Sequence, residues 1–154
     1  MTKWDDRFME MAGLVATWSR DPSTQVGCVI VNPARQVVST GFNGFPRGVD
    51  DDPARYADRP TKYLMVLHAE ANAVLQAGGD VRGGTAYVTH PPCAQCAATL
   101  IQAGIARIVT REPDAGMAER FKDSFGAART MLREAGVEVT WECTYRPVPA
   151  IMEG

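Results

Sequence analysis

His68-Ala69-Glu70 and Pro92-Cys93-Ala94-Gln95-Cys96 are the two stretches that decide how this chain folds and what it does. One imidazole and two thiolates can fill three corners of a zinc tetrahedron and leave the fourth for water, as catalytic zinc sites do. A carboxylate two positions after the histidine can move the protons that such a water sheds. The sequence therefore predicts a catalytic Zn²⁺ site with His68, Cys93 and Cys96 as ligands and Glu70 as proton carrier.

The composition is that of an ordinary folded chain of 154 residues, with 45% apolar and 22% charged residues. This length predicts a single domain over residues 1–154. The net charge is −2 and no block of Lys or Arg is present, which disfavours polynucleotide binding. The N-terminus lacks the apolar run of a signal peptide, and no stretch is long enough to cross a membrane. Four cysteines in a chain of this length and ordinary composition do not indicate a small, disulfide-rich secreted protein. We therefore expect a cytoplasmic protein without membrane association.

Hydrophobic periodicity predicts the element order α-β-β-α-β-α-β-α-β. The first helix is predicted after caps at Asp5 and Asp6, with a core-facing stripe of Phe8, Met11, Ala12, Val15 and Trp18. Strands are predicted at 27–31, 36–42, 85–89, 105–110 and 137–141, and later helices at 68–76, 93–103 and 117–135. This order predicts a three-layer α/β/α sandwich around a mixed five-stranded sheet.

Two connections in this scheme carry further expectations. Residues 32–35 form a turn, so that the first two strands make an antiparallel hairpin. Residues 43–61, rich in Gly, Pro and Asp, show no periodicity and are predicted to form a long loop. Because this loop leads towards His68, a substrate-covering or regulatory role is expected for it.

The two motif stretches lie at predicted helix starts, where the positive end of the helix dipole favours thiolates. A fourth protein ligand would instead give a closed, structural zinc site. His90 is the other histidine of the chain and stands three positions before Cys93. From the sequence it can be a fourth ligand, a pocket-wall residue or a surface residue. Cys28, within an apolar run, is interpreted as a small core residue.

Several further segments resemble the cytidine deaminase superfamily, and within it the deoxycytidylate (dCMP) deaminases. They are Asp21–Asn32, Gly41–Gly48 with the aspartates that follow, Lys62-Tyr63, His68–Ala73 and Ala103-Gly104-Ile105. The resemblance implies a cytidine deaminase-like fold, zinc on the three predicted ligands and Glu70 as proton shuttle. It also implies that Asn43 contacts the sugar or base and that the backbone at Ala69 holds the pyrimidine edge. Homo-oligomers, commonly hexamers, and control by dCTP and dTTP are typical of many members.

The chain departs from the family pattern at His90-Pro91 and at 111–116, near where the tail of a substrate would lie. Four basic residues are candidate partners for a 5′-phosphate, and for each the alternative is a solvated surface charge. They are Arg47, Lys62, Arg111 and Arg120.

The function predicted from these features is hydrolytic deamination of dCMP to dUMP and ammonia. An alternative keeps the chemistry but changes the substrate to a modified dCMP, cytidine, deoxycytidine or a free nucleobase. A tRNA-acting deaminase is disfavoured because the sequence shows no basic face. A zinc-stabilised protein without activity is disfavoured because Glu70 would then have no role.

Overall fold

The computed structural model describes residues 1–142, so Cys143 lies outside the described residues. The strands are β1 (Gly27–Val31), β2 (Val37–Phe42), β3 (Thr85–Val88), β4 (Arg107–Arg111) and β5 (Glu138–Glu142). The helices are α1 (Lys3–Ala16), α2 (Pro53–Ala57), α3 (Arg59–Met65), α4 (Ala69–Gln76), α5 (Ala94–Gln102), α6 (Ala115–Arg120) and α7 (Lys122–Glu134). Within residues 1–142, no helix combines the length and the apolar character needed to span a bilayer.

The five strands form one mixed sheet in the order β2-β1-β3-β4-β5. β1 pairs antiparallel with both β2 and β3, whereas β3, β4 and β5 run parallel to one another. The predicted hairpin and the predicted mixed five-stranded sheet are therefore confirmed. Parallel strands need a crossover connection, and here the α5 and α6–α7 segments provide it.

Helices cover both faces of the sheet, which makes the architecture the predicted three-layer sandwich. Every residue of β1 is buried, as expected for an inner strand covered on both sides. Val29 and Val31 pack with α1 on one face. Cys28 and Ile30 point to the other face and pack into the core formed with α4, α5 and α7. Cys28 is thus a buried core residue, as predicted.

The first helix differs in detail from its prediction. Thr2 is the N-cap, and Asp5 completes a capping box with it instead of acting as the cap. Of the predicted core stripe, Phe8, Ala12 and Val15 are buried. Met11 and Trp18 are 40% and 51% exposed, so their assignment to the core was wrong. Trp18 lies beyond the end of α1 at Ala16, where the helical period no longer fixes its direction.

The predicted loop at 43–61 contains helical structure. α2 and the beginning of α3 lie within it, each with a proline in its first turn and an aspartate, Asp52 or Asp58, as N-cap. Proline is favoured at the first positions of a helix because the missing N–H has no intrahelical acceptor there. Tyr56 of α2 is buried and stacks on Phe45, with ring centroids 4.1 Å apart. This packing joins α2 to the part of the segment that directly follows β2.

The helix predicted at 117–135 is divided. Phe121 takes a non-helical conformation (φ −115°, ψ 20°) and separates α6 from α7. α6 begins earlier than predicted, because the side chain of Asp114 accepts a hydrogen bond from the Met117 amide and caps it. The boundaries of β3, β4 and β5 agree with prediction to within two residues.

α4 lies unusually close to β2, and Gly41 makes this approach possible. A Cβ at Gly41 would lie 2.3 Å from the Ala69 carbonyl oxygen and 2.4 Å from the Ala73 nitrogen. Ser39 Oγ donates to the Ala73 carbonyl at 2.5 Å, and Asn72 Nδ2 donates to the Phe42 carbonyl at 2.8 Å. These contacts fix both the distance and the rotation of α4 on the sheet.

A charged network anchors α1 on the opposite face. Asp5, which is almost fully buried, accepts hydrogen bonds from both terminal nitrogens of Arg107 at 2.8 and 3.1 Å. Tyr87 donates a further hydrogen bond to it at 2.8 Å. Although burial alone would raise the pKa of Asp5, hydrogen bonds from Arg107, the Thr2 amide and Tyr87 hold that pKa far below its usual range.

We expect Gly41→Ala to destabilise the fold, because its methyl group would meet backbone atoms of α4 that cannot move without displacing the helix. Overpacking of this kind lowers the free energy of unfolding by about 1–3 kcal/mol, which urea titration would measure. Gly78→Ala is the control, since a Cβ at Gly78 would meet nothing within 4 Å. Equal unfolding free energies for the two variants would contradict the proposed close packing.

Candidate active site

Three of the predicted site residues converge between the N-termini of α4 and α5. His68 is the N-cap of α4, Cys93 is the N-cap of α5, and Cys96 lies in the first turn of α5. The His68 Nδ1 atom lies 3.5 Å from Cys93 Sγ and 3.3 Å from Cys96 Sγ. All three potential ligand atoms lie within 4.8 Å of one another. The structure thus brings together the three residues predicted as ligands.

The local backbone explains this convergence. Two hydrogen bonds between Gly44 and Leu67, of 3.1 and 2.8 Å, tie the residue before His68 to the segment after β2. Ser124 of α7 accepts a hydrogen bond from the Ala94 amide at 2.9 Å and so caps the start of α5. Neighbouring elements therefore hold the backbone next to His68 and the backbone at the start of α5. Neither His68 nor Cys93 makes a side-chain cap to its own helix, which leaves both side chains directed to the cluster.

The two cysteines differ in their affinity for a proton. The pKa of Cys93 is lowered to about 4, first because Cys96 hydrogen bonds to its sulfur and further because of the hydrogen bond with His68. The pKa of Cys96 is raised, since its thiol is held by the Cys93 sulfur and is buried. The hydrogen bond to Cys93 raises the pKa of His68. A divalent cation that binds both sulfurs displaces the remaining proton, and an N,S,S donor set suits Zn²⁺.

The cluster has three protein ligands within the part of the chain that the structure describes. His90 does not join it and instead lines the adjoining cavity. The Arg111 Nη2 atom lies 3.2 Å from both ring nitrogens of His90. Burial and the charge of Arg111 lower the pKa of His90 to about 4, which keeps its ring neutral. Of the alternatives left open by the sequence, the structure selects a pocket-wall residue, and the three-ligand arrangement is that of a catalytic zinc site.

Glu70 lies in the first turn of α4, beside the cluster and outside its ligand set. It is 4% exposed. Burial raises the pKa of Glu70 to about 7. The charge of His68 and a hydrogen bond with Cys96 lower this pKa, whereas the charge of Cys93 raises it. A carboxyl group in such a position can take up and release a proton close to neutral pH.

His68 and Cys93 of the cluster, together with Glu70, line a cavity of about 320 Å³. Its walls come from the segment after α1, the segment after β2, α3, the start of α4, the end of β3 and the α6–α7 junction. Its lining residues include Asp21, Ser23, Thr24, Asn43, Arg59, Lys62, Ala69, His90, Met117, Arg120, Phe121 and Phe125. A cavity of this size, lined by both polar and apolar side chains, suits a small organic ligand.

Asn43 and Ala69, predicted to contact a substrate, both line this cavity. Asn43 is buried, and its side chain is held by the backbone of the 19–26 segment: Oδ1 accepts from the Val26 amide and Nδ2 donates to the Thr24 carbonyl, each at 2.8 Å. Ala69 is the first residue of α4. The first backbone N–H groups of a helix have no intrahelical acceptor and can bind a ligand.

The four candidate phosphate partners occupy different environments. Arg120 is exposed and lines the cavity, whereas Arg47 is exposed but does not line it. Arg111 contacts His90, as described above. Lys62 lines the cavity, but its side chain is 10% exposed and its Nζ atom lies 2.6 Å from Asp21 Oδ2. For Lys62, the alternative of a solvated surface charge was therefore wrong.

Several cavity residues were not predicted as site residues. Arg59 is an exposed cavity-lining residue at the start of α3, within the segment that the sequence analysis treated as loop. Phe121 and Phe125 fall within the helix predicted at 117–135; they are half-buried and line the cavity with Met117. Asp21 was named only as the first residue of the family-like segment Asp21–Asn32, without a role of its own. Asp21 is buried in the folded chain, and nothing in the local sequence predicts this burial.

Comparison with known proteins places this geometry in a family. Residues 2–112 match the model of the cytidine and deoxycytidylate deaminase zinc-binding region. A deaminase described as uncharacterized, from the luxG 3′ region of Aliivibrio fischeri, is 48% identical over 92% of this chain and 95% of its own length. Mouse deoxycytidylate deaminase is 41% identical over 88% of this chain and 77% of its own length.

A solved structure shows the same fold. The dCMP deaminase of cyanophage S-TIM5, in its apo form, superposes with a TM-score of 0.69 and 25% sequence identity. The match covers 92% of this chain and all of the phage chain. The fold and the three-ligand cluster define a zinc-dependent hydrolytic deaminase. The chain belongs to the cytidine and deoxycytidylate deaminase family.

Removal of one ligand side chain is expected to abolish zinc binding. We expect Cys96→Ser to reduce the zinc content from about one per chain to below about 0.2 after dialysis against a chelator, since two ligands hold the metal weakly. Inductively coupled plasma mass spectrometry would measure the content. Cys28→Ala is the matched control, because Cys28 is buried but does not belong to the cluster, and it should retain its zinc. Zinc retention by Cys96→Ser would refute the assigned ligand set.

Proposed function

We infer that this protein catalyses the hydrolytic deamination of dCMP: dCMP and water give dUMP and ammonia. The observation that carries this conclusion is the three-ligand cluster beside a buried glutamate, at the end of a nucleotide-sized cavity, in a chain that belongs to the deoxycytidylate deaminase family. Several curated relatives, including the mouse and human proteins, are named deoxycytidylate deaminase. A dCMP deaminase of the same fold has been solved in complex with dCMP and dUMP.

His68, Cys93 and Cys96 are the residues that would hold Zn²⁺. When bound, Zn²⁺ supplies Lewis-acid activation of a water molecule. Glu70 accepts a proton from the attacking water and delivers protons to the ring nitrogen and to the departing amine. Its burial beside the cluster keeps this transfer away from bulk solvent.

We propose roles for the residues that line the cavity, based on their positions in it. The backbone at Ala69, in the first turn of α4, holds the polar edge of the pyrimidine. Asn43 contacts the sugar or base from the segment after β2. The side chains of Phe121, Phe125 and Met117, which also line the cavity, offer the ring an apolar surface.

The phosphate contact is best assigned to Arg59 and Arg120. Both are exposed, both line the cavity, and neither takes part in an ion pair among residues 1–142. Arg120 lies over the Phe121 ring, 5.7 Å from its centroid, which restricts the position of its guanidinium. Two guanidinium groups at one cavity can bind a phosphate dianion by charge-assisted hydrogen bonds.

We also propose that the protein forms a homo-oligomer, commonly a hexamer in related proteins. The single domain over residues 1–154 and the cytoplasmic location likewise stay proposals. Size-exclusion chromatography with light scattering would establish the number of chains in the assembly.

Glu70→Gln is the test of the proton carrier. We expect kcat for dCMP to fall by at least about 100-fold, because the amide cannot accept the proton, while zinc content stays unchanged. Loss of the cytosine absorbance band reports turnover. Glu134→Gln, an exposed position at the end of α7, is the control and should keep wild-type activity. An active Glu70→Gln variant would exclude Glu70 from the proton transfer.

The phosphate assignment is tested by comparing dCMP with deoxycytidine. Replacement of Arg59 or Arg120 by Gln should raise the KM for dCMP about tenfold, the value of one hydrogen bond to a charged group, and leave kcat/KM for deoxycytidine unchanged. Arg47→Gln is the matched control, since Arg47 does not line the cavity. Equal losses for both substrates would show that these arginines do not contact the phosphate.

A substrate panel separates dCMP from the other cytosine compounds. Wild-type, zinc-loaded protein would be assayed with dCMP, CMP, 5-methyl-dCMP, deoxycytidine and cytosine. Activity confined to the unphosphorylated compounds would overturn the assignment of dCMP while leaving the deaminase chemistry in place.

A further inference from the structure

We propose that the buried ion pair between Asp21 and Lys62 is a positioning device. It holds the 19–26 segment and Asn43 in place at the cavity wall, so that substrate binding depends on it. This inference rests on the proposed deamination of dCMP at the same cavity.

Both side chains of the ion pair are buried. Lys62 Nζ lies 2.6 Å from Asp21 Oδ2, and the two side chains are 10% and 0% exposed. Lys62 Nζ also donates a hydrogen bond to Ser23 Oγ at 3.0 Å. An isolated buried charge is costly, so each partner strongly favours the position that pairs it with the other. The pair thereby joins α3, which carries Lys62, to the segment that follows α1.

The second oxygen of Asp21 organises the segment itself. Oδ1 accepts hydrogen bonds from the Ser23 amide at 2.9 Å, the Ser23 hydroxyl at 3.0 Å and the Thr24 amide at 3.2 Å. Together with the Lys62 ion pair, these bonds hold the pKa of Asp21 below its usual value despite its burial. The backbone at residues 23 and 24 is therefore wrapped around the carboxylate.

Asn43 is held by this same segment. Beyond its hydrogen bonds with Val26 and Thr24, its Nδ2 atom lies 3.5 Å from Asp21 Oδ2. Ser19 Oγ donates to the Asn43 carbonyl at 2.8 Å. A shift of the 19–26 segment would therefore turn or displace the Asn43 side chain.

A direct phosphate contact by Lys62 fits the structure less well. Its charge is already matched by Asp21, and a phosphate that drew the ammonium away would leave a fully buried carboxylate without its cation. Arg59 and Arg120, which line the same cavity without such a partner among the described residues, are better suited to that contact. Lys62 thus acts through Asp21 and Asn43.

Three variants test the pair: Asp21→Asn, Lys62→Met and the double variant. Each single change should raise the KM for dCMP about tenfold or more and change kcat less than about threefold, because a displaced wall weakens binding. The double variant should bind dCMP better than either single variant, since no unpaired buried charge remains. Asp80→Asn is the matched control. It removes an exposed ion pair with Arg82 outside the cavity wall and should leave KM unchanged.

Hydrogen–deuterium exchange supplies a readout that needs no turnover. Both single variants should accelerate amide exchange in residues 19–27, where the Val26 amide donates to Asn43, and leave the β4 peptide at its wild-type rate. Asp21→Asn keeps the side-chain size and an acceptor oxygen. It and the double variant therefore keep the test decisive if Lys62→Met fails to fold.

Two results would overturn the proposal. If Lys62→Met raised KM for dCMP alone, with deoxycytidine kinetics and exchange unchanged, Lys62 would be a direct phosphate ligand. If the melting temperature fell while KM and exchange in 19–27 stayed constant, the pair would be purely structural. Failure of wild-type protein to deaminate dCMP would instead refute the proposed function. In that case, the exchange data and the double variant's stability would decide the positioning role alone.

Discussion

The close contact between α4 and β2 is the constraint on which the site depends. Gly41 lets the helix backbone approach the strand within a distance that any side chain would prevent. Hydrogen bonds from Ser39 and Asn72 then set how far the helix is rotated. Because His68 and Glu70 stand at the start of this helix, the backbone packing of α4 determines where the imidazole and the carboxylate meet the sulfurs of α5. The geometry of the cluster is thus fixed by rigid elements, as catalytic chemistry requires.

The fold and the metal cluster could be predicted because both depend on patterns of residues that lie close together in the sequence. The apolar, β-branched run at 27–31 has the character of an inner strand wherever it occurs. His68, Glu70, Cys93 and Cys96 stand at fixed spacings at helix starts, so placing two helices side by side suffices to bring them together. The antiparallel hairpin of the first two strands and the buried position of Cys28 follow from similar reasoning.

The remaining site residues depend on contacts between segments distant in sequence. Nothing in the sequence around Asp21 or Lys62 pairs the two residues, and only the folded chain shows that they neutralise each other. Phe121 and Phe125 have the spacing of core residues, but the break at Phe121 leaves them facing a cavity. Pro53 and Pro60, usually signs of a loop, here begin helices because an aspartate caps each one.

The network of Asp5, Tyr87 and Arg107 lies under α1, across the sheet from the cluster. The sheet therefore lies between two groups of residues with different roles. Those on one face hold the first helix in place, and those on the other form the metal and substrate site. Protein engineers can exploit this separation. Packing and charge under α1 can be redesigned for heat resistance while the residues that bind metal and substrate keep their own surroundings.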